Sequence, residues 1–382
     1  MAVPGGRVMQ TEAPTPPPGT ASVRWRRAER AARWVSGIGL AALVAALVPA
    51  LVWRPAPRDS VIDLVARQPS AGGWSLPRIV VNQGDRVRLR IRSEDVVHGF
   101  AIGRMDVDAG PIEPGKAVTV EFVADRLGEF TFYCTTWCDP SHPRMRGVLE
   151  VRGPGGTAMA PAPAAQDVTL AHLDHPRDAG IVPAARPSAT RGAEPYTRQC
   201  ASCHGAKGEG TAQGEAIATP EVLQDRSPVD VFHWLNGEGG GDPGAAGARR
   251  HRELMREWPD QARWDVVSHL WLLGTTPETI EQGQRLFVRN CAACHGEGGR
   301  GDGPGGRYQP KRPADFTNPR TMLAGTSRLY TAKIRRGGMG TGMPYWGSIF
   351  TEEELAALVS YLWTFSLDMD ERAIHPDAAT TK

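Results

Sequence analysis

The twelve residues Cys134-Thr-Thr-Trp-Cys138-Asp-Pro-Ser-His142-Pro-Arg-Met145 constrain this chain more than any others. They put two thiols, an imidazole and a thioether in one loop, between the strand-like runs Glu129–Tyr133 and Gly147–Val151. Thiolate and thioether are soft donors that select copper, and imidazole suits copper as well. Upstream, Val96-Val-His98-Gly-Phe100 ends another strand-like run and adds a second imidazole. A mononuclear site of this kind needs two His, one Cys and an axial Met. The second Cys supplies one thiolate more than that. Two bridging thiolates, two imidazoles and a Met describe a site for two coppers. A tetrahedral zinc site built from His98, Cys134, Cys138 and His142 and a Cys134–Cys138 disulfide are the competing readings. Neither uses Met145, and neither explains the β-rich flanks. The carboxylates of Glu94 and Asp95, just ahead of His98, read as a solvated loop face with no assigned role.

This C-x3-C-x3-H-x2-M loop with its upstream His resembles the CuA domain of cytochrome c oxidase subunit II. The electron-input domain of nitrous oxide reductase carries the same loop, also with a Trp between the cysteines. The resemblance implies that Cys134 and Cys138 bridge the copper pair and that His98 and His142 are terminal ligands. Met145 and the backbone carbonyl of Thr136 would be the weak ligands.

From Ser60 to Arg152 the pattern is one of short β-branched runs, such as Val61–Val65, Val87–Ile91 and Ala117–Phe122, separated by Gly and Pro. That spacing predicts an antiparallel sandwich, and its length fits a cupredoxin-like Greek-key fold over residues 58–152. Residues 153–192 are rich in Ala and Pro and read as a semi-extended linker. His172 and His175 lie in it as solvent-facing residues.

Two further modules follow, at 193–275 and 276–370, and they repeat one another. Cys200-Ala-Ser-Cys203-His204 and Cys291-Ala-Ala-Cys294-His295 are both C-x-x-C-H, the attachment signature of a c-type haem. The cysteines form thioethers with the haem vinyl groups, and the adjacent His is the proximal iron ligand. Neither Cys pair has a partner pair at zinc-finger spacing. All 6 cysteines fall in these three motifs, so none is left for a structural disulfide. Val266-Val-Ser-His-Leu-Trp271 matches Leu358-Val-Ser-Tyr-Leu-Trp363, each in an apolar-periodic helix with one buried face. Both helices look like the C-terminal helix of a class I cytochrome c, which implies two all-α modules.

The same resemblance makes Met343, in Gly340-Thr-Gly-Met343-Pro, the distal ligand of the second haem, with Met339 as the alternative. Sliding the matched helices into register sets His251 opposite Met343. The first haem is thereby expected to carry His204 and His251, with Met255 and His233 as alternatives. Met as a distal ligand raises a haem potential relative to His. Pro310 and Pro313 resemble the cytochrome c loop whose Pro carbonyl accepts the proximal imidazole N–H.

The first 33 residues are Pro/Gly-rich and then basic, and read as disordered. The uncharged run Trp34–Trp53 that follows has the roughly 20-residue length of a membrane-spanning helix, with a Trp at each end. Arginines ahead of it predict a cytoplasmic N-terminus, a single pass through the cell membrane, and redox domains on the periplasmic or extracellular side. A cleaved signal peptide is the alternative.

With a formal net charge of +2, nothing in the chain argues for nucleic acid. No nucleophile–base pattern, phosphate loop or dinucleotide fingerprint occurs either. The assembly resembles subunit II of caa-type cytochrome c oxidases, with a second haem module added. That resemblance implies an electron-input subunit of an oxidase, carrying a dinuclear copper centre and two covalently bound haems c. Its partners would be a haem-copper subunit I that reduces dioxygen, a cytochrome c or other redox donor, and the lipid bilayer. Alternatives are the electron-input subunit of a nitric oxide reductase and a stand-alone membrane-anchored carrier.

Overall fold

The computed structural model describes residues 59–153, 180–238, 246–338 and 340–369, together with Arg33 and Gly156. The expected membrane segment 34–53, the basic stretch before it (apart from Arg33), His172, His175 and Met339 lie outside the described residues. Among the described residues, no helix is long and apolar enough to cross a membrane. The region from Arg58 onward forms one compact unit that holds the β domain and both helical modules.

Eight strands build the β domain: β1 (Asp59–Ala66), β2 (Arg78–Asn82), β3 (Arg86–Ser93), β4 (His98–Ile102), β5 (Val107–Ile112), β6 (Ala117–Val123), β7 (Gly128–Tyr133) and β8 (Arg146–Arg152). They form two sheets, ordered β1-β3-β6 and β2-β8-β7-β4-β5. In β3, Val87, Leu89 and Ile91 are buried while Arg86, Arg88, Arg90 and Arg92 are exposed, the period-2 alternation of a half-buried strand. The sandwich is not wholly antiparallel, because β1 pairs parallel with β3 and β2 parallel with β8. Local alternation sets which face of a strand is buried, but it carries no information on which neighbour the strand pairs with. Trp74 packs edge-on against Phe100 at 5.5 Å and Phe132 at 6.0 Å in the core between the sheets.

His98 opens β4 rather than ending a strand. The carboxylate of Asp95 accepts from the backbone amides of Gln68 and Val96, and Ser93 Oγ donates to the Val96 carbonyl. Those bonds make a turn between β3 and β4, where the apolar pair Val96-Val97 suggests continuous strand.

The first helical module contains α1 (Ala189–Gln199), α2 (Ala201–His204), α3 (Pro220–Leu223), α4 (Pro228–Leu235), α5 (Ala246–Met255) and α6 (Asp260–Leu273). The second contains α7 (Pro277–Asn290), α8 (Ala292–His295), α9 (Pro319–Met322), α10 (Ser327–Arg336) and α11 (Glu352–Ser366). Helix α1 starts ahead of the expected boundary at 193, because Ser188 caps it by accepting from the Arg191 amide. In each module the first long helix crosses the last, and a glycine marks the crossing. A Cβ on Gly192 would lie 2.1 Å from the Asp265 carbonyl, and one on Gly283 would lie 2.0 Å from the Ala357 carbonyl. One turn later, Tyr196 and Phe287 are fully buried.

Helix α6 does not have a single buried face. Every residue from Trp264 to Leu272 is buried, including Asp265 and His269. One side packs on α1. The other meets the second module, where Trp271 sits edge-on to Trp363 at 5.7 Å. A helix pinned between two modules has no solvent face, which one module's periodicity cannot reveal.

Candidate metal and haem sites

The sheet order places three chain ends side by side. β7 runs antiparallel to both β4 and β8, with Tyr133 opposite Arg146 and also opposite Ala101. The end of β7 therefore lies at the same edge as the starts of β4 and β8. Cys134 follows β7, Met145 precedes β8, and His98 opens β4. Rigid strands, rather than the loop alone, hold these donors.

His98, Cys134 and Cys138 present ligand atoms that all lie within 4.8 Å of one another, and all three residues are buried. Cys134 Sγ is 3.7 Å from His98 Nδ1 and 3.2 Å from the Thr136 carbonyl oxygen. Cys138 Sγ is 3.5 Å from His142 Nδ1 and 3.7 Å from Met145 Sδ. Every donor singled out in the loop is thus drawn into one cluster. The Cys134 thiol is pushed well below the ordinary thiol range, because its thiolate accepts from the Cys138 thiol and from both imidazoles. The Cys138 thiol is pushed up by that same neighbour and by burial. Burial opposes charge on His98, yet its hydrogen bonds to Cys134 and Asp95 raise its pKa. Such a cluster can exchange its protons for cations. Its softness fits copper, and the thioether would have no place in a tetrahedral zinc site.

In the second module, Cys291, Cys294, His295 and Met343 line a single cavity of about 330 Å³. Lys311, Arg312, Lys333 and Arg336 also border it and supply positive charge suited to the propionates of a haem. Two thiols, an imidazole and a thioether around one cavity, with these cations, fit a c-type haem. His295 Nδ1 bonds the carbonyl of Ala314 at 3.1 Å, which leaves Nε2 as its coordinating atom. That carbonyl therefore belongs to neither Pro310 nor Pro313. The Pro313 carbonyl is turned to Gly301, where a Cβ would meet it at 2.4 Å.

The first module repeats the arrangement, with His204 Nδ1 bonded to the Glu215 carbonyl at 2.8 Å. His251 is brought opposite His204, ring centres 6.0 Å apart and planes 23° from parallel. Two imidazoles set opposite one another, beside the Cys200 and Cys203 thiols, are donors that would suit a haem iron. Trp234 packs against both rings. His233 instead bonds Glu238 at 2.7 Å. Met255 is buried at the end of α5, one turn beyond His251.

Comparison with known proteins follows these boundaries. Residues 75–152 match the periplasmic domain of cytochrome C oxidase subunit II, and residues 189–273 and 280–366 each match cytochrome c. The chain joins an oxidase subunit II periplasmic domain to two cytochrome c domains. A cytochrome c oxidase subunit 2 of Thermus thermophilus is 32% identical over 82 residues, 22% of this chain and 60% of that protein. A Cbb3-type cytochrome c oxidase subunit CcoP of Azospirillum brasilense is 26% identical over 176 residues, 44% of this chain and 58% of that one. A nitrous-oxide reductase of Ralstonia nicotianae is 35% identical over 94 residues, 24% of this chain and 14% of that one. The chain spans less than two thirds of each of these relatives.

Within the subunit II domain, the structure gives Asp95 a part that the sequence reading withheld. Its carboxylate bonds His98 Nε2 at 2.8 Å, fixing the tautomer that turns Nδ1 toward Cys134. An acid three residues before a candidate ligand His was the signal. The glycines at the helix crossings and the carbonyls of Glu215 and Ala314 were also missed. A backbone acceptor has no sequence signature.

Proposed function

We propose that this chain is the electron-input subunit of a membrane-bound haem-copper oxidase. In this reading Cys134 and Cys138 bridge two coppers, His98 and His142 are terminal ligands, and Met145 and the Thr136 carbonyl bind weakly. Cys200 and Cys203 hold one haem, with His204 and His251 on its iron. Cys291 and Cys294 hold the other, with His295 and Met343. Such centres accept and release single electrons.

The observation that carries the proposal is the convergence of two thiols, two imidazoles, a thioether and a carbonyl at the ends of three adjacent strands, directly beside a C-x-x-C-H module. The protein's own part is to hold those donors still. β4, β7 and β8 fix three of them, Asp95 orients His98, and the carbonyls of Glu215 and Ala314 orient the two proximal imidazoles. Donors fixed by a rigid frame reorganise little when charge changes. The run Trp34–Trp53 would anchor the chain in the bilayer, with the redox domains on the periplasmic side. A haem-copper subunit I would take the electrons, and a cytochrome c or similar carrier would supply them.

The test is to purify the complex from native membranes in detergent and identify its subunits, then measure gas consumption with a reduced donor. A polytopic haem-copper partner and cyanide-sensitive oxygen uptake are expected. Consumption of nitric oxide but not oxygen would replace the oxidase with a nitric oxide reductase. Absence of any partner would leave a tethered electron carrier.

A further inference from the structure

We infer that Trp137 is a positioning residue that couples the thiol-rich loop to the second C-x-x-C-H site, and that the second module, not the first, is the loop's redox neighbour. The inference rests on the copper and haem assignments proposed above and adds to them which module meets the loop and through which side chain.

Trp137 belongs to the loop by sequence, between Cys134 and Cys138, and to the second module by contact. On the loop side its ring lies 5.5 Å from that of His142. On the module side it stacks on Tyr308 at 6.3 Å, with the planes 19° from parallel. It also covers Gly305, where a Cβ would come within 2.5 Å of the indole. The Gly305 amide in turn donates to the carbonyl of Ala293, inside the C-x-x-C-H motif, at 2.7 Å. Trp137 therefore bridges His142 and the Cys291–Cys294 segment with no other residue between them but Gly305.

A second bridge runs beside it. Arg146, next in the chain after Met145, donates to the Tyr345 carbonyl and sets its guanidinium 5.0 Å over Trp346. Tyr345 and Pro344 lead straight back to Met343. Cys134, His142 and Met145 line the same cavity as Cys291, His295 and Met343, and among the described residues none of the first module lines it. Other contacts hold the two surfaces together. Arg289 pairs with Asp108, Thr131 Oγ1 donates to Ser348 Oγ at 2.9 Å, and Arg104 bonds the carbonyls of Gly347 and Phe350. The docked module covers this side of the loop.

The experiment uses the full chain with copper and both haems loaded. Flash reduction by a soluble photoreductant is followed by absorbance at the copper and haem bands, in wild type, Trp137→Phe and Trp137→Leu. Electron equilibration between the loop and the second haem is expected to slow by roughly tenfold in Trp137→Leu, given the geometric sensitivity of such steps. Trp137→Phe should recover most of the wild-type rate. The copper electron paramagnetic resonance spectrum and the midpoint potentials should not move, since Trp137 is not a ligand. Relaxation enhancement of the copper signal by haem iron gives a readout independent of turnover. It should disappear as the second, Met-ligated haem is reduced, while the lower-potential first haem is still oxidised. An unchanged rate in Trp137→Leu would overturn the role of Trp137, and enhancement that follows the first haem would overturn the module assignment. Absence of any two-copper spectrum in the wild-type chain would overturn both inference and functional reading, and the spectrum alone tells that case apart.

Discussion

Replacing Gly283 by alanine tests whether the helix crossing holds the second haem module together. The added Cβ would sit 2.0 Å from the Ala357 carbonyl oxygen and 2.7 Å from Tyr361 Cβ. It falls short of ordinary van der Waals contact by about 1.4 Å, against backbone atoms that cannot rotate away. Helices α7 and α11 would have to separate, loosening Phe287 from Tyr361 and Phe365, whose rings lie at 5.4 and 5.2 Å. Overpacking of this kind costs about 1–3 kcal/mol. Amide hydrogen exchange read peptide by peptide resolves that loss, because protection scales with the free energy of local opening. Peptides from α7 and α11 should exchange roughly 5- to 150-fold faster, and those from α1 and α6 should change less. Gly192→Ala should reverse the pattern, since its Cβ meets the Asp265 carbonyl at 2.1 Å. Gly298→Ala is the control. Gly298 is exposed, has only Arg300 Nε at 4.0 Å, and should tolerate the methyl group. Wild-type protection of α7 and α11 in Gly283→Ala would refute the close-approach argument.

Three other outcomes follow from the sites. Cys138→Ser should remove the two-copper spectrum while both haems stay attached; retention of that spectrum would reject Cys138 as a bridge. His251→Ala should open the first haem to added ligands such as imidazole, seen as a shift of its absorption band. An unchanged band would transfer the distal role to Met255. Burial depresses the pKa of His269 to about 4, so the neutral ring is the folded form. The unfolded chain takes up that proton near pH 6.5, so the first module should lose up to about 3 kcal/mol as pH falls from 6.5 to 4. His269→Gln should flatten that limb of the stability curve, measured by denaturant unfolding at each pH.

Much of the candidate machinery was legible as spacing along the chain. Cys134, Cys138, His142 and Met145 lie within one loop, and each C-x-x-C-H is a contiguous pentapeptide, so their chemistry survives in one dimension. The register that set His251 opposite Met343 also had a one-dimensional basis, because the modules repeat at nearly constant offset. The structure then brought His251 to His204 and turned His233 away to Glu238.

What the amino-acid order determined by itself was the donor types, their local spacing and the repeat of the haem modules. Hydrophobic alternation and ligand motifs are properties of neighbouring residues. Only the tertiary structure decided the parallel pairing of β1 with β3 and β2 with β8, and the burial of α6 on every side from Trp264 to Leu272. It alone decided that the second module docks on the copper loop through Trp137, Arg146 and Gly305. These are contacts between segments as much as two hundred residues apart. They follow from shape and the close approach of surfaces, which no local pattern encodes.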